Sequence, residues 1–235
     1  NMGINHFDFN WNLKENESFQ TPEIIMVYSS DGINGMSQTF HNIFNNNIIR
    51  GKYKNRSRSV LINNWEATYF DFDEEKILSL ARKAKALGVE MFVLDDGWFG
   101  TRNDDFQGLG DWYVNMEKLP NGISGLSKKI NDLGMKFGLW FEPEMANKNS
   151  DLYRAHPDWI LSAPGRYDTS SRNQHVLDFS RSEVVDYIYE SVSKILRDAN
   201  IEYIKWDMNR CMTEVFSHTK ESKNQKEVAH RYILG

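Results

Sequence analysis

The chain has 235 residues, 40% of them hydrophobic and 13% aromatic, with a formal net charge of −5. That acidic balance argues against a nucleic-acid partner, and no apolar run approaches the length needed to cross a membrane. Cys211 is the only cysteine, which excludes an intrachain disulfide and points to a reducing, cytoplasmic location.

Residues 1–60 alternate polar and apolar positions in short bursts such as "HFDFNWNL" and "EIIMVYSS", separated by turn formers. This pattern predicts strands of an antiparallel β domain, closed by a short helix near Met36–Phe44. The basic stretch Arg50–Arg58, "RGKYKNRSR", reads as a solvated linker, and the polar start does not resemble a signal peptide.

From Val60 the pattern becomes strand, helix, strand, helix. The first strand is "SVLINNW", Ser59–Trp65. A helix at Glu74–Leu87 repeats Ile77, Ala81, Ala84 and Leu87, begins at Asp71 or Asp73, and stops at Gly88. A second, Gly125–Leu133, stops at Gly134. A third, Glu183–Ala199, follows Ser182 as N-cap and stops at Asn200. After each stop comes an apolar strand and then a carboxylate: "MFVLDD" ends in Asp95 and Asp96, "KFGLWFEPE" in Glu142 and Glu144, and "EYIKWD" in Asp207. A further strand is predicted at Asn173–Phe179, "NQHVLDF", carrying Asp178.

Alternating β and α with continuously apolar strands implies a parallel sheet covered by helices, whose site lies at the C-terminal strand ends. No Gly-rich phosphate fingerprint follows any strand, so the layout favours a (β/α)₈ barrel over a doubly wound sheet. Such a barrel takes roughly 250 residues. The roughly 175 residues that follow residue 60 suffice for five or six βα units, so the barrel is expected to be incomplete, with further strands beyond Gly235.

The strand ends admit three readings. In the first, Asp207 meets an oxocarbenium-like sugar centre. Lys205, two residues before it and on the same face, keeps it ionised, while Asp95 and Asp96 accept from sugar hydroxyls. Trp65 and Trp140 then offer stacking planes, and Arg172 and Asn209 bind further hydroxyls. In the second, the same carboxylates hold a divalent metal for lyase or isomerase chemistry, which suits the aromatic rim less well. In the third, some acids serve structure. Asp178 anchors a loop. Glu142 or Glu144 orients a loop or pairs with Arg172. Asp104, Asp105 and Asp111 are solvated. Trp206, Trp112, His156 and Trp159 pack.

The stretches "LDDGWFG", "LGDW", "FGLWFEPEM", "YRAHPDW", "RNQHVLDF" and "YIKWDMNR" together resemble the α-galactosidases of glycoside hydrolase family 36. "SFQTPEIIMVYSSDGINGMSQTFH" and "VLINNWEATYFDF" are similar to that family's lead-in to its barrel. The resemblance covers nearly the whole chain. It implies residues 1–58 as the C-terminal part of an N-terminal β-sandwich domain with its linker. Residues 59–235 become the N-terminal part of a (β/α)₈ catalytic barrel. It also implies retaining hydrolysis of terminal α-linked galactose in melibiose- and raffinose-type sugars, without metal or organic cofactor. Family members are often tetramers, so a homo-oligomer is expected. Transfer of galactose to another sugar, or sugar binding alone, are the alternatives within the family.

Residue by residue, Asp207 of "KWDMN" maps to the nucleophile and forms a covalent galactosyl intermediate. Asp95, Asp96, Arg172 and Lys205 map to sugar contacts, Trp65 and Trp140 line the pocket, and Trp206, Met208 and Asn209 surround the nucleophile. The family's acid/base aspartate follows a cysteine-containing motif on a later strand that has no match here. The resemblance therefore implies an acid/base supplied after residue 235, and melibiose turnover by these 235 residues alone is expected to be weak or absent.

Overall fold

The computed structural model describes residues 2–235. The chain divides into two compact units: one takes the residues up to Phe7 and Leu13–Ser59, the other Asp8–Asn12 and Val60–Gly235.

The first unit contains one α-helix, α1 (Gly32–Ile43), running into a π-helical turn at Phe44–Ile48 and a 3₁₀ turn at Gly51–Tyr53. The helix expected near Met36–Phe44 is therefore present but starts earlier. The antiparallel strands expected in residues 1–60 are not formed among the described residues, and none of residues 2–60 is buried. Alternation gives a segment two faces, but a strand exists only where a second strand takes its hydrogen bonds.

In the second unit, β1 (Leu61–Asn63), β2 (Met91–Leu94), β3 (Lys136–Phe141) and β6 (Tyr203–Trp206) form one sheet in the order β1-β2-β3-β6. All three pairings are parallel. The short helix α2 (Trp65–Thr68) follows β1, and α3 (Glu74–Ala86) leads into β2. Then α4 (Gly122–Asp132) leads into β3, and α6 (Ser182–Asp198) into β6.

Each long helix forms for the reason its sequence suggests. Asp73 caps α3 by accepting from the Lys76 N–H at 2.8 Å, and Ile77, Leu78, Ala81 and Ala84 are its buried stripe. Ile123, Leu126 and Ile130 are buried on α4, and Val184, Ile188, Val192 and Ile195 on α6. Gly88 and Gly134 close α3 and α4 at φ 86° and 73°, the left-handed region where a Cβ is costly. The third stop differs: α6 ends at Ala199 in extended conformation, and Asn200 is not left-handed. Ser182 is the first residue of α6 rather than its cap; Arg181 stands at the cap position without a side-chain capping bond.

The predicted strand at Asn173–Phe179 is a second correction. Only His175–Val176 (β5) is a strand, and it pairs antiparallel with Met145–Ala146 (β4), outside the parallel sheet. Its tip is the turn Ser171–Gln174, with Arg172 and Asn173 at φ 52° and 59°, so both central residues are left-handed in the manner of a tight hairpin. β3 and β6 are therefore direct neighbours, and the described residues supply four parallel strands rather than five or six units.

Between them lie α5 (Asp151–Ala155), a 3₁₀ turn at Pro157–Trp159, and, after β6, a 3₁₀ turn at Ser222–Glu227 leading to α7 (Val228–Leu234). His156 stacks on Trp159 at 3.8 Å, the packing expected of "HPDW". Asp111 is buried, not solvated, and accepts from the Asp151 and Leu152 N–H groups at the start of α5. Among the described residues no helix is long and apolar enough to cross a membrane.

Candidate active site

The strand register decides which side chains meet. Val93, Gly138 and Tyr203 pair across β2, β3 and β6, and Trp140 pairs with Lys205. Side chains two apart share a face. Asp95, Trp140, Lys205 and Asp207 therefore lie on one face at the C-terminal ends, with Asn63 of β1 beside Asp95. Phe92, Leu94, Phe137 and Leu139 point the other way and are fully buried with the helices.

Lys205 is the centre of this face. Its Nζ donates to Asp95 Oδ2 at 2.9 Å and lies 3.8 Å from Asp207 Oδ2, so one ammonium serves two carboxylates from separate strands. Asp95 also accepts from Asn63 Nδ2 through Oδ2 and from the Asp96 N–H through Oδ1, while its own N–H donates to Asn64 Oδ1. These bonds leave it buried and fixed.

Asp207 is partly exposed, with 30% of its side-chain surface open. Trp140 Nε1 and Asn209 Nδ2 each donate to its Oδ2 at 3.0 Å, and the Met208 N–H donates to Oδ1 at 3.1 Å. Burial pushes this carboxyl upward, but the Trp140 and Asn209 bonds and the Lys205 charge outweigh it and hold Asp207 below the usual carboxylate range. An ionised, directed and accessible carboxylate is the form a nucleophile needs.

Arg172 does not pair with Glu142 or Glu144. Its Nη1 donates to Asn209 Oδ1 at 2.6 Å, so it reaches Asp207 through Asn209. Glu142 is buried and accepts from the Asn209 N–H and from Gln174 Nε2, and burial pushes its carboxyl upward. It orients the loop after β6. Glu144 accepts from Trp206 Nε1 and the Tyr232 hydroxyl.

Asp96 is buried and bound by Arg102 in a forked contact, Nε to Oδ1 at 3.0 Å and Nη2 to Oδ2 at 2.8 Å. Desolvation pushes its carboxyl upward and the guanidinium opposes that. Arg102 was invisible to a motif reading, since it lies in a loop with no periodicity. Asn63 and Asn64 were also missed, although "INNW" places polar groups at a strand end by the same rule that picks out Asp95.

Trp140 and Trp206 differ in what they present to the site. Trp140 is buried, stacked parallel to Phe99 at 6.1 Å, and presents its N–H to Asp207 rather than a plane to a ligand. Trp206 sits between Lys205 and Asp207 in β6 and therefore faces the opposite side, in an apolar groove with Ile188, Val192 and Ile204. It faces away from Asp207, in line with the packing expected of it rather than with the place around the nucleophile that the resemblance implies. Trp65 is half-buried, edge-on to Tyr69 and Phe70 at 5.2 and 5.0 Å; its backbone N–H donates to Asn63 Oδ1. Asp178 anchors its loop by accepting from the Ser180 N–H and hydroxyl. Among the described residues no three His, Cys, Asp or Glu side chains gather as metal ligands.

The sequence model of the Melibiase family matches residues 18–235. The chain belongs to the Melibiase family. Among its Melibiase relatives is the alpha-galactosidase AgaA of Geobacillus stearothermophilus, 59% identical over 234 residues, covering 100% of this chain and 32% of AgaA. Alpha-galactosidase Mel36A of Lactobacillus acidophilus is 52% identical over 235 residues, again 100% of this chain and 32% of the relative. The chain thus spans about a third of the length of these relatives. The crystal structure of GH36 AgaA superposes with a TM-score of 0.95 at 59% identity, over 99% of this chain and 32% of that one. A variant of AgaA in complex with raffinose gives 0.96 at 58% identity, with the same coverage. The parallel α/β sheet found here is thus the arrangement of solved Melibiase-type enzymes.

Proposed function

We propose that this chain carries the nucleophile and much of the galactose-binding wall of a retaining α-galactosidase. The observation that carries the reading is Asp207: an accessible carboxylate held ionised by Trp140, Asn209 and a lysine it shares with Asp95. The relatives are named alpha-galactosidases, and AgaA variants have been solved with raffinose and stachyose, which supports terminal α-galactosides as the substrate class.

In this reading Asp207 attacks the anomeric carbon as the bond from that carbon to the leaving oxygen breaks, giving a galactosyl ester on Asp207. A second carboxyl protonates the leaving oxygen and then takes a proton from the water that releases galactose with retained configuration. The carboxyls gathered around the site are engaged elsewhere: Asp95 with Lys205, Asp96 with Arg102, Glu142 with Gln174 and Asn209. The resemblance to the family implies an acid/base carried on a later strand. Asp95, Asp96, Lys205 and Arg172 bind sugar hydroxyls. Residues 1–58 would belong to a β-sandwich domain and 59–235 to the (β/α)₈ catalytic barrel.

The test is the stereochemical course of melibiose hydrolysis by the full-length protein, followed by proton NMR. The α anomer of galactose is expected to appear first and then mutarotate. Initial release of the β anomer contradicts the retaining mechanism.

A further inference from the structure

Asn147 lies just after β4, is fully buried, and touches none of the groups assigned to the sugar. Yet its amide is saturated. Oδ1 accepts from Arg102 Nη1 and from the Leu109 N–H, each at 2.9 Å. Nδ2 donates to the carbonyl of Asn173 at 2.7 Å and to that of Asp105 at 3.3 Å. Two donors and two acceptors are all a side-chain amide offers. The three segments they join are the loop after β2, the loop after β3 and the tip of the Ser171–Gln174 turn.

Two of these partners lead to the site. Arg102 holds Asp96. The turn carries Arg172, whose guanidinium holds Asn209 against Asp207. The base of the turn has other supports: the β4–β5 pairing, and Arg210 donating to the Gln174 carbonyl at 2.6 Å. The tip is the part under strain, because Arg172 and Asn173 are both left-handed without being glycine. A backbone of that kind persists when its surroundings over-determine it.

We infer that Asn147 is a positioning residue for galactoside binding, acting through its bond to the Asn173 carbonyl, which sets where Arg172 presents its guanidinium. The inference rests on the functional reading given above and adds a residue that no contact with substrate would reveal.

Asn147→Asp separates its two arms. The carboxylate still accepts from Arg102 and Leu109, but it sets an oxygen against the Asn173 carbonyl in place of a donor. The full-length protein, Asn147→Asp, Arg172→Ala and the double variant are compared by KM for p-nitrophenyl α-galactoside and by Ki for galactose. Asn147→Asp is expected to raise both constants about tenfold in the parent, the scale of one lost buried hydrogen bond. In the Arg172→Ala background the same change is expected to shift them by less than about twofold, because the group it positions is gone. An equal factor in both backgrounds, or unchanged constants in the parent, overturns the assignment. If Asn147→Asp does not accumulate as folded protein, Asn147→Ser removes the same donor without a charge and is judged by the same criteria. Absence of any α-galactoside turnover by the parent overturns this inference together with the functional reading, whereas turnover with additive variants overturns only this one.

Discussion

Replacing Trp140 by Phe keeps an aromatic ring against Phe99 and removes the N–H that Asp207 accepts at 3.0 Å. That bond helps hold Asp207 below the usual carboxylate range. Its loss is expected to move the acidic limb of kcat/KM to higher pH and to lower kcat by about tenfold. A pH–rate profile checks both. Lys205→Met leaves Asp95, buried, and Asp207 facing each other without their shared ammonium. The expected loss in kcat/KM is about 10²-fold, again with the acidic limb displaced upward; a variant within threefold of the parent would deny Lys205 its role. At this scale the strand-end acids were legible, because a carboxylate that ends an apolar run has few structural uses. Their partners were not. Arg102 meets Asp96 6 residues away and Asn147 45 residues away, and Asn147 meets the Arg172 turn 26 residues on, in loops without periodicity.

Elements announced themselves when they carried both a buried stripe and a stop. Helix α3 has the Asp73 cap, the apolar stripe and Gly88, and its observed bounds fall within a residue of the reading. Asp73→Ala removes the cap bond to Lys76 and is expected to cost about 1 kcal/mol, seen as a fall of roughly 2–4 °C in Tm. In β3, Gly138 faces Val93 and Tyr203; a Cβ there would sit 3.1 Å from both side chains. Gly138→Ala is therefore expected to destabilise by roughly 1–3 kcal/mol in a denaturant titration, and an unchanged midpoint would show that Tyr203 yields freely. Pattern failed where pairing decides. Residues 173–179 are apolar enough for the parallel sheet, yet the chain reverses at Arg172 and Asn173, which lack the glycine that usually marks such a hairpin. The bursts before residue 60 have strand-like alternation but, among the described residues, no ladder.

Taken whole, the second unit binds acid-sensitive groups into its core. His175 in β5 is buried, and desolvation, with Lys148 and Arg210 adding to it against Asp168 and Glu214, brings its imidazole down to about 4. The unfolded chain then binds more protons than the folded one between about pH 4 and 6.5, so stability present above that window is lost as pH falls through it. His175→Gln is expected to flatten the pH dependence of Tm there; an unchanged slope would assign acid sensitivity to other groups. The sheet order and the site it assembles serve one proposition, that Asp207 is the group that takes the sugar. A 2-deoxy-2-fluoro galactosyl donor with an activated leaving group should arrest the full-length protein as a covalent adduct. Peptide mapping of that adduct is predicted to find the galactosyl mass on Asp207; label on any other residue, or inactivation without label, contradicts the account.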